Sequence, residues 1–259
     1  MQLLGPRVPA SMSIGINPVS QSNIVQALAR DRPAFHLGGA AHWNSTPETL
    51  EAIRASVKPG DTTIETGAGA STVVFASAGA AHTAISPDPQ EHVRIGDYCR
   101  EIGVDHAHVT FIAGSSDDVL PSLLGDARTL DVAYIDGAHV FPLPAIDWYY
   151  VTRALKVGGW LVMDDIAIPA VADIFRHMRG EPGWRLERIL DQRAALFQLL
   201  SPPPEEDWRD QRYNSKYPDF AFAARPERVR LHAAFSLAEA RSRLTERYPA
   251  LRGISRRLK

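Results

Sequence analysis

The sequence is poor in cysteine, in long apolar runs and in net charge. Its 259 residues include one cysteine, Cys99, which excludes an internal disulfide and a thiolate zinc cluster. No apolar run approaches the roughly 18 residues that a membrane-spanning helix needs, and the N-terminus lacks the pattern of a signal peptide. With 45% apolar and 22% charged residues, the composition is that of a globular protein. We therefore expect a cytoplasmic protein without a membrane segment.

The net charge of −2 conceals an uneven distribution along the chain. Residues 225–259 hold ten Arg and Lys against three Glu, a net charge of +7, which leaves −9 on residues 1–224. Because the acidic part would repel phosphates, we do not expect a nucleic acid partner. In the basic part, Ser236 and Glu239 have the spacing of a capping box and predict an amphipathic helix over 237–247. We expect this extension to join copies of the chain into a homo-oligomer.

Strand and helix patterns alternate between residues 45 and 200. Ser45 and Glu48 form a capping box with Pro47 in the first turn, which predicts the first helix over 46–57. The predicted strands lie at 62–65, 82–86, 109–113, 131–135, 160–163, 184–190 and 194–200. The predicted helices between them lie at 71–79, 89–102, 117–124, 143–156 and 169–179.

This alternation predicts an α/β fold with a doubly wound, Rossmann-like sheet of seven strands and helices on both faces. The sheet is mostly parallel, with one antiparallel strand in the hairpin that ends it. The triple proline at 202–204 marks a boundary. We therefore divide the chain into a lead-in over 1–44, in which His42 and Trp43 can cover a pocket, the α/β domain over 45–200 and a basic helical extension over 201–259.

Ligands bind such a sheet at the carboxyl ends of its strands. The first of these ends reads Glu65-Thr66-Gly67-Ala68-Gly69 and leads into a helix. Its glycines allow a close approach of the backbone to a ligand. Thr72 stands where the dinucleotide fingerprint has its third glycine, so a pyrophosphate site fits poorly. The Glu65 carboxylate suits a ligand with a positive centre, such as the ammonium of an amino acid.

The pattern acidic-x-Gly-x-Gly resembles the first motif of the class I S-adenosylmethionine-dependent methyltransferases. The resemblance covers about residues 45–200 and includes the terminal hairpin. Asp136-Gly137-Ala138-His139 after strand four and Asp164-Asp165 after strand five resemble a bacterial branch that includes many small-molecule O-methyltransferases. The resemblance implies an enzyme that methylates a hydroxyl of a small molecule, such as a sugar or a natural-product intermediate, with S-adenosylmethionine as cofactor.

Two other functions stay open on the sequence alone. An NAD(P)-dependent oxidoreductase would use a related sheet, but the missing third glycine counts against it. A non-catalytic methyltransferase-like domain that binds a partner would explain the altered end of strand two. The presence of Glu65, Asp136 and the Asp164-Asp165 pair counts against that second alternative.

The resemblance also assigns residues to the cofactor. Ser71 and Thr72 can reach it or simply cap their helix. Ser86 stands where an acidic ribose ligand is usual, and Asp88 either replaces that ligand or caps the next helix. The cofactor-binding residues that it implies are Glu65, Gly67, Gly69, Ser71, Thr72, Ser86, Asp88, Ser115, Ser116, Asp136 and Gly137.

Three acidic residues, Asp136, Asp164 and Asp165, follow two strands that are neighbours in this fold. Their carboxylates would suit a divalent cation such as Mg²⁺, which can lower the pKa of a bound substrate hydroxyl. Alternatively, Asp136 contacts the amino end of the cofactor through water, while the Asp pair caps the following loop. His139 is the leading general base, because a histidine with an ordinary pKa of about 6.5 accepts a proton at neutral pH. We therefore expect His139 and Asp136 to be catalytic.

Overall fold

The computed structural model describes residues 19–36, 45–125, 127, 129–202, 211 and 220–248. The chain divides into two units, Met1–Pro204 and Glu205–Lys259. His42 and Trp43, the predicted pocket-covering residues, lie outside the described residues. In the part of the chain that is described, no helix is long and apolar enough to cross a membrane.

Seven strands form one sheet in the first unit. They are β1 Thr62–Thr66, β2 Ala81–Ser86, β3 Val109–Ala113, β4 Leu130–Ile135, β5 Leu155–Met163, β6 Trp184–Leu190 and β7 Ala194–Leu199. Their order is β3-β2-β1-β4-β5-β7-β6. Strands β1 to β5 are parallel, and β7 runs antiparallel to both of its neighbours. The predicted fold class is confirmed, and the reversal of strand order beside β1 creates the crevice where such sheets bind ligands.

Helices cover both faces of this sheet. They are α1 Ile24–Asp31, α2 Pro47–Ser56, α3 Ala70–Ser77, α4 Pro89–Glu101, α5 Ser116–Leu123, α6 Leu143–Ala154 and α7 Pro169–Gly180. Successive side chains of a strand point to opposite faces. Val132 and Tyr134 of β4 therefore pack with α1 to α4, while Ala133 and Ile135 pack with α5 to α7. The sheet is thus buried between two apolar layers.

The start of α2 differs from the prediction. Thr46 is the N-cap, and its side-chain oxygen accepts a hydrogen bond from the backbone N–H of Thr49 at 3.2 Å. The Ser45 hydroxyl instead lies 2.8 Å from the Tyr134 hydroxyl. The prediction that Ser45 opens the capping box is wrong. The physical reason is Pro47, because a proline disfavours helical backbone at the residue before it and so places the cap at Thr46.

Strand β5 begins at Leu155, five residues before its predicted start. Leu155 pairs with Leu130, and the register then shifts before the pairing of Val132 with Trp160. Gly158 lies in this irregular stretch with φ +86°, a backbone conformation that glycine adopts without steric cost. Gly158 and Gly159 therefore form an irregularity inside the strand, whereas the predicted helix over 143–156 and the predicted strand over 160–163 place them in the connection between the two.

The second unit contains α8 Arg225–Arg247, which begins twelve residues before its predicted start. Ser236 lies inside this helix, so the prediction that it forms an N-terminal cap is wrong. Pro226 occupies the first turn, where a missing N–H costs little, and no glycine or second proline interrupts the helix before its end. Within this unit, Phe220 contacts the rings of His232 and Phe235.

We predict that an apolar stripe of α8 mediates self-association. Leu237 and Leu244 are exposed and lie on one side of the helix. The double variant Leu237→Glu, Leu244→Glu is expected to lower the solution mass to that of a monomer in light scattering. Ala238→Glu, about 100° around the helix from Leu237, is the matched control and should change nothing. A full chain that is already monomeric would contradict this prediction.

Cys99 is fully buried in α4, and burial raises the pKa of its thiol to about 12. Because the thiolate is the reactive form, we expect no reaction with a thiol reagent in the folded protein and full reaction after denaturation. Labelling with a chromogenic disulfide reagent measures both. Rapid labelling under native conditions would show that α4 opens readily.

Candidate active site

A cavity of about 820 Å³ lies at the carboxyl ends of β1 to β5. Its volume is in the range of small-molecule sites. Eight of the predicted cofactor-binding residues line it: Gly67, Gly69, Ser71, Ser86, Ser115, Ser116, Asp136 and Gly137. Glu65, Thr72 and Asp88 are not part of this lining. Further lining residues that the sequence did not indicate are His36, Glu91 and Arg193.

Gly67 is the point where the loops after β1 and β4 meet. Its φ of +88° is in the left-handed region, and a β-carbon there would overlap the carbonyl oxygen of Asp136. The Gly67 N–H donates to the carbonyl of Ile85 at 2.8 Å, and the Asp136 N–H donates to the carbonyl of Thr66 at 3.0 Å. The first bond ties the loop after β1 to strand β2, and the second holds the start of the loop after β4 against the end of β1.

Glu65 lies beneath this loop rather than in the cavity, with 1% of its surface exposed. Ser71 donates to Glu65 Oε2 at 2.5 Å, and the Thr72 hydroxyl donates to Oε1. His82 Nε2 lies 3.1 Å from Oε1. The Gly69 N–H in turn donates to Thr72 Oγ1 at 3.0 Å. Glu65 and Thr72 therefore hold the glycine loop from below.

His82 is a member of this network that the sequence analysis missed. Its Nδ1 lies 2.8 Å from the Thr63 hydroxyl, and its ring stacks on Phe75 at 4.2 Å. Thr63 and His82 are partners in the pairing of β1 with β2. The pairing register of β1 with β2 is the signal from which this contact could have been predicted.

Near the end of β2, the carboxylate that faces the cavity belongs to helix α4. Asp88 caps that helix by accepting from the Gln90 N–H at 2.9 Å. Glu91 lies in the first turn of that helix and lines the cavity. Ser86 donates a hydrogen bond to Glu91, and His36 Nδ1 lies 2.9 Å from Glu91 Oε1. Burial works to raise the pKa of Glu91, but the bonds from His36 and Ser86 outweigh it and lower that pKa below its usual value.

The loops after β3 and β4 form the opposite wall. Ser115 is the N-cap residue of α5, and its hydroxyl donates to Asp117. Ser116 is the first residue of the helix and is buried. Asp147 of α6 is buried behind Gly137, and burial raises the pKa of its carboxyl. A β-carbon at position 137 would lie only 3.0 Å from Asp147 Oδ2, so a side chain there would be tightly packed.

The three predicted acidic residues meet at the ends of β4 and β5. Tyr134 stands between two of them, with its hydroxyl 2.9 Å from Asp136 Oδ2 and 3.1 Å from Asp164 Oδ2. Asp164 is almost fully buried, and the backbone N–H of Asp165 donates to its Oδ1 at 2.8 Å. Burial, together with repulsion from Asp164, raises the pKa of Asp136 well above its usual value. The acidic side chains at the ends of β4 and β5 are therefore clustered where little solvent reaches them.

Arg193 lies between two of these carboxylates. Its Nη2 is 3.1 Å from Asp164 Oδ2, and its Nε is 3.0 Å from Asp165 Oδ1. It comes from the turn between β6 and β7 and lines the cavity. The sequence pattern at this place indicates only the turn of a hairpin. The sequence does not show which strand end this turn faces, because that depends on where the hairpin packs beside β5.

His139 completes the group, with Nε2 3.6 Å from Asp165 Oδ2 and 3.9 Å from Asp136 Oδ1. One ligand atom from each of these three residues lies within 4.8 Å of the other two, a spacing that fits a metal ion. The set differs from the predicted one, since His139 takes the place of Asp164. An imidazole among the ligands favours a transition metal over Mg²⁺, which prefers oxygen ligands alone.

Residues 64–166 match the family model of a methyltransferase domain. This segment is similar to a methyltransferase domain. The match runs from β1 through the loop after β5, and this segment supplies most of the cavity. No curated protein matches the sequence.

Solved structures with this fold share little sequence with the chain. A protein of Corynebacterium glutamicum has 17% identity and a TM-score of 0.55, with 71% of this chain and 92% of that one covered. The O-methyltransferase TomG of Streptomyces achromogenes has 16% identity and a TM-score of 0.53, with 73% and 93% covered. TrmN of Thermus thermophilus has 16% identity and a TM-score of 0.51, with 67% and 53% covered. At these identities the likeness is one of fold.

Proposed function

We propose that the chain is a methyltransferase that uses S-adenosylmethionine to methylate a hydroxyl group of a small molecule. One observation carries the proposal. A single cavity joins the glycine loop and Glu91 to a corner that holds His139, Asp136 and Asp165. The first part suits a cofactor with an amino acid and a ribose, and the second suits a hydroxyl that must lose a proton. The crystal structure of TomG, which shares the fold, contains the same cofactor.

Glu91 is the residue that would bind the ribose hydroxyls. The usual acidic position at the end of β2 is Ser86, which donates to Glu91 and holds it at the cavity wall. A carboxylate with a lowered pKa stays ionised at neutral pH and can accept two hydroxyl hydrogen bonds. Asp88 is engaged in capping α4 and in an ion pair with Arg94.

We predict that Glu91→Gln weakens the binding of S-adenosylhomocysteine by about tenfold to a hundredfold, as expected for losing a hydrogen bond to a charged group. Isothermal titration calorimetry measures the change. Asp88→Asn is the matched control, and it should lower stability slightly and leave affinity near that of the wild type. Equal affinity of Glu91→Gln and wild type would remove Glu91 from the cofactor site.

At the other end of the cavity, His139 would accept the proton of the acceptor hydroxyl. The cofactor supplies a methyl group on a positively charged sulfur. Transfer is an in-line displacement, so orientation and exclusion of water account for most of the rate increase. Asp136 Oδ1 and Asp165 Oδ2 lie 3.9 and 3.6 Å from His139 Nε2, so both carboxyl groups border the ring that would receive the proton.

The surroundings of His139 favour an acceptor with an apolar body. Val140 lines the cavity and is 70% exposed, and the adjacent Phe141 is 77% exposed. Exposed apolar side chains beside a cavity indicate a binding surface. The carboxylate of Asp165 at this end of the cavity would repel phosphates, which counts against nucleic acid as the acceptor.

A divalent metal held by Asp136, His139 and Asp165 is the second candidate mechanism. The ion would bind the acceptor oxygen and lower the pKa of its hydroxyl. Activity measured with and without a chelator separates the two mechanisms. Loss of activity on chelation and in Asp165→Ala would favour the metal, whereas full activity of Asp164→Ala and Asp165→Ala would exclude it.

Calorimetric titration tests the function itself. Saturable binding of S-adenosylhomocysteine without binding of NADPH supports a methyltransferase. Binding of NADPH would support the oxidoreductase alternative, and binding of neither would support a non-catalytic domain. Activity against a panel of hydroxylated small molecules, with matched amines included, then tests O-methylation.

A further inference from the structure

We propose that the guanidinium of Arg193 is the resident cation of the acidic corner and takes the place of a divalent metal there. The consequence for catalysis rests on the proposed function. The occupation of the corner by Arg193 is independent of the proposed function, because it concerns only which cation binds to the chain's own carboxylates.

The contacts of Arg193 compete with a metal for Asp164 and for one oxygen of Asp165. Its Nε lies 3.1 Å from Asp164 Oδ1 and 3.0 Å from Asp165 Oδ1, while its Nη2 lies 3.1 Å from Asp164 Oδ2. Both oxygens of Asp164 are thus engaged, and Tyr134 and the backbone of Asp165 also contact them. A metal that used Asp164 would have to displace a charge-assisted fork of hydrogen bonds.

The backbone holds Arg193 in this position. Asp191 and Gln192 adopt φ of +47° and +55°, which is the pattern of a tight hairpin turn. The Arg193 N–H closes the turn on the Leu190 carbonyl at 2.9 Å, and the Ile166 N–H donates to the Arg193 carbonyl at 2.9 Å. The guanidinium therefore extends from a residue fixed on both sides, unlike that of an arginine on a mobile loop.

A fixed cation at this place has a chemical use. When the acceptor loses its O–H proton to His139, negative charge develops on an oxygen close to Asp136 and Asp165. The oxygen forms a bond to the methyl carbon, the carbon–sulfur bond breaks and its electron pair goes to sulfur. Arg193 borders the cavity and offsets the two carboxylates, so the developing charge costs less.

Titration of the full chain with Mn²⁺, followed by calorimetry and by the electron paramagnetic resonance of free Mn²⁺, tests the proposal without any substrate. We expect no saturable binding to the wild type or to Arg193→Lys, and saturable binding to Arg193→Gln that Asp165→Asn then removes. Arg188→Gln is the matched control. Arg188 lies on the same hairpin, is exposed and pairs with Glu48, so this variant should behave as wild type.

Two outcomes would overturn the proposal. One is saturable Mn²⁺ binding to the wild type that Asp165→Asn abolishes. The other is a folded Arg193→Gln variant that binds no more Mn²⁺ than the wild type. If Arg193→Gln does not fold, Arg193→Lys decides through kinetics. A chelator should leave the wild-type rate unchanged, and Arg193→Lys should lower kcat by up to about 100-fold with little change in the affinity for S-adenosylhomocysteine. An unchanged kcat would contradict the proposal.

Discussion

Gly67→Ala is expected to abolish S-adenosylhomocysteine binding and to lower the free energy of unfolding by about 2–5 kcal/mol. Two effects add at this position. The φ of +88° is unfavourable for alanine, and a β-carbon would overlap the carbonyl oxygen of Asp136. The loops after β1 and β4 would have to separate, and both line the cavity. Chemical denaturation and calorimetric titration measure the two losses.

Gly60→Ala is the matched control for this prediction. Gly60 has nearly the same φ, +82°, but no atom lies within 4 Å of a β-carbon built there. The control therefore has the conformational cost of about 1 kcal/mol without the overlap, and Gly60 does not line the cavity. A Gly67→Ala variant as stable as Gly60→Ala would show that the two loops do not approach as closely as described.

His139→Asn is expected to lower kcat by about a hundredfold to ten-thousandfold, the range for loss of a general base. The affinity for S-adenosylhomocysteine should stay within a few-fold of wild type, because the proposed cofactor contacts lie at the other end of the cavity. Initial rates with an accepted hydroxyl substrate, combined with calorimetry, measure both quantities.

His106→Asn serves as the control for His139→Asn. His106 precedes β3 and therefore lies at the amino edge of the sheet, away from the cavity. Wild-type kcat in His139→Asn would exclude His139 as the base. A loss of kcat in His139→Asn, accompanied by a loss of wild-type activity on chelation, would favour the metal on Asp136, His139 and Asp165. A loss without sensitivity to chelation would favour proton transfer to His139 alone.

The convergence of the loops on one site could be predicted from sequence. The motif around Gly67 and the acidic residues after β4 and β5 each follow a strand, and the carboxyl ends of parallel strands lie at one edge. The meeting of Asp136, His139 and Asp165 follows from that rule. The same rule could not show that Asp164 points into the protein. Asp164 and Asp165 are adjacent in the chain, and only the fold determines which of them faces the cavity.

The residues that sequence analysis missed share one property. His36, Glu91 and Arg193 come from the lead-in, from the first turn of α4 and from the terminal hairpin. Their contacts join segments far apart in the chain, His36 to Glu91 and Arg193 to Asp164. Motifs and periodicity describe neighbours within a few residues, so neither carries information about such pairs.

The sequence by itself determined the class of fold, because alternating strand and helix periods admit few arrangements of a parallel sheet. It also determined which loops form the site. Only the tertiary structure decided the role of each carboxylate. Glu65 faces the interior because Ser71, Thr72 and His82 supply donors there, while Glu91 faces the cavity because Ser86 and His36 hold it at the wall. A carboxylate takes the position where its hydrogen bonds are satisfied, and those partners are set by packing.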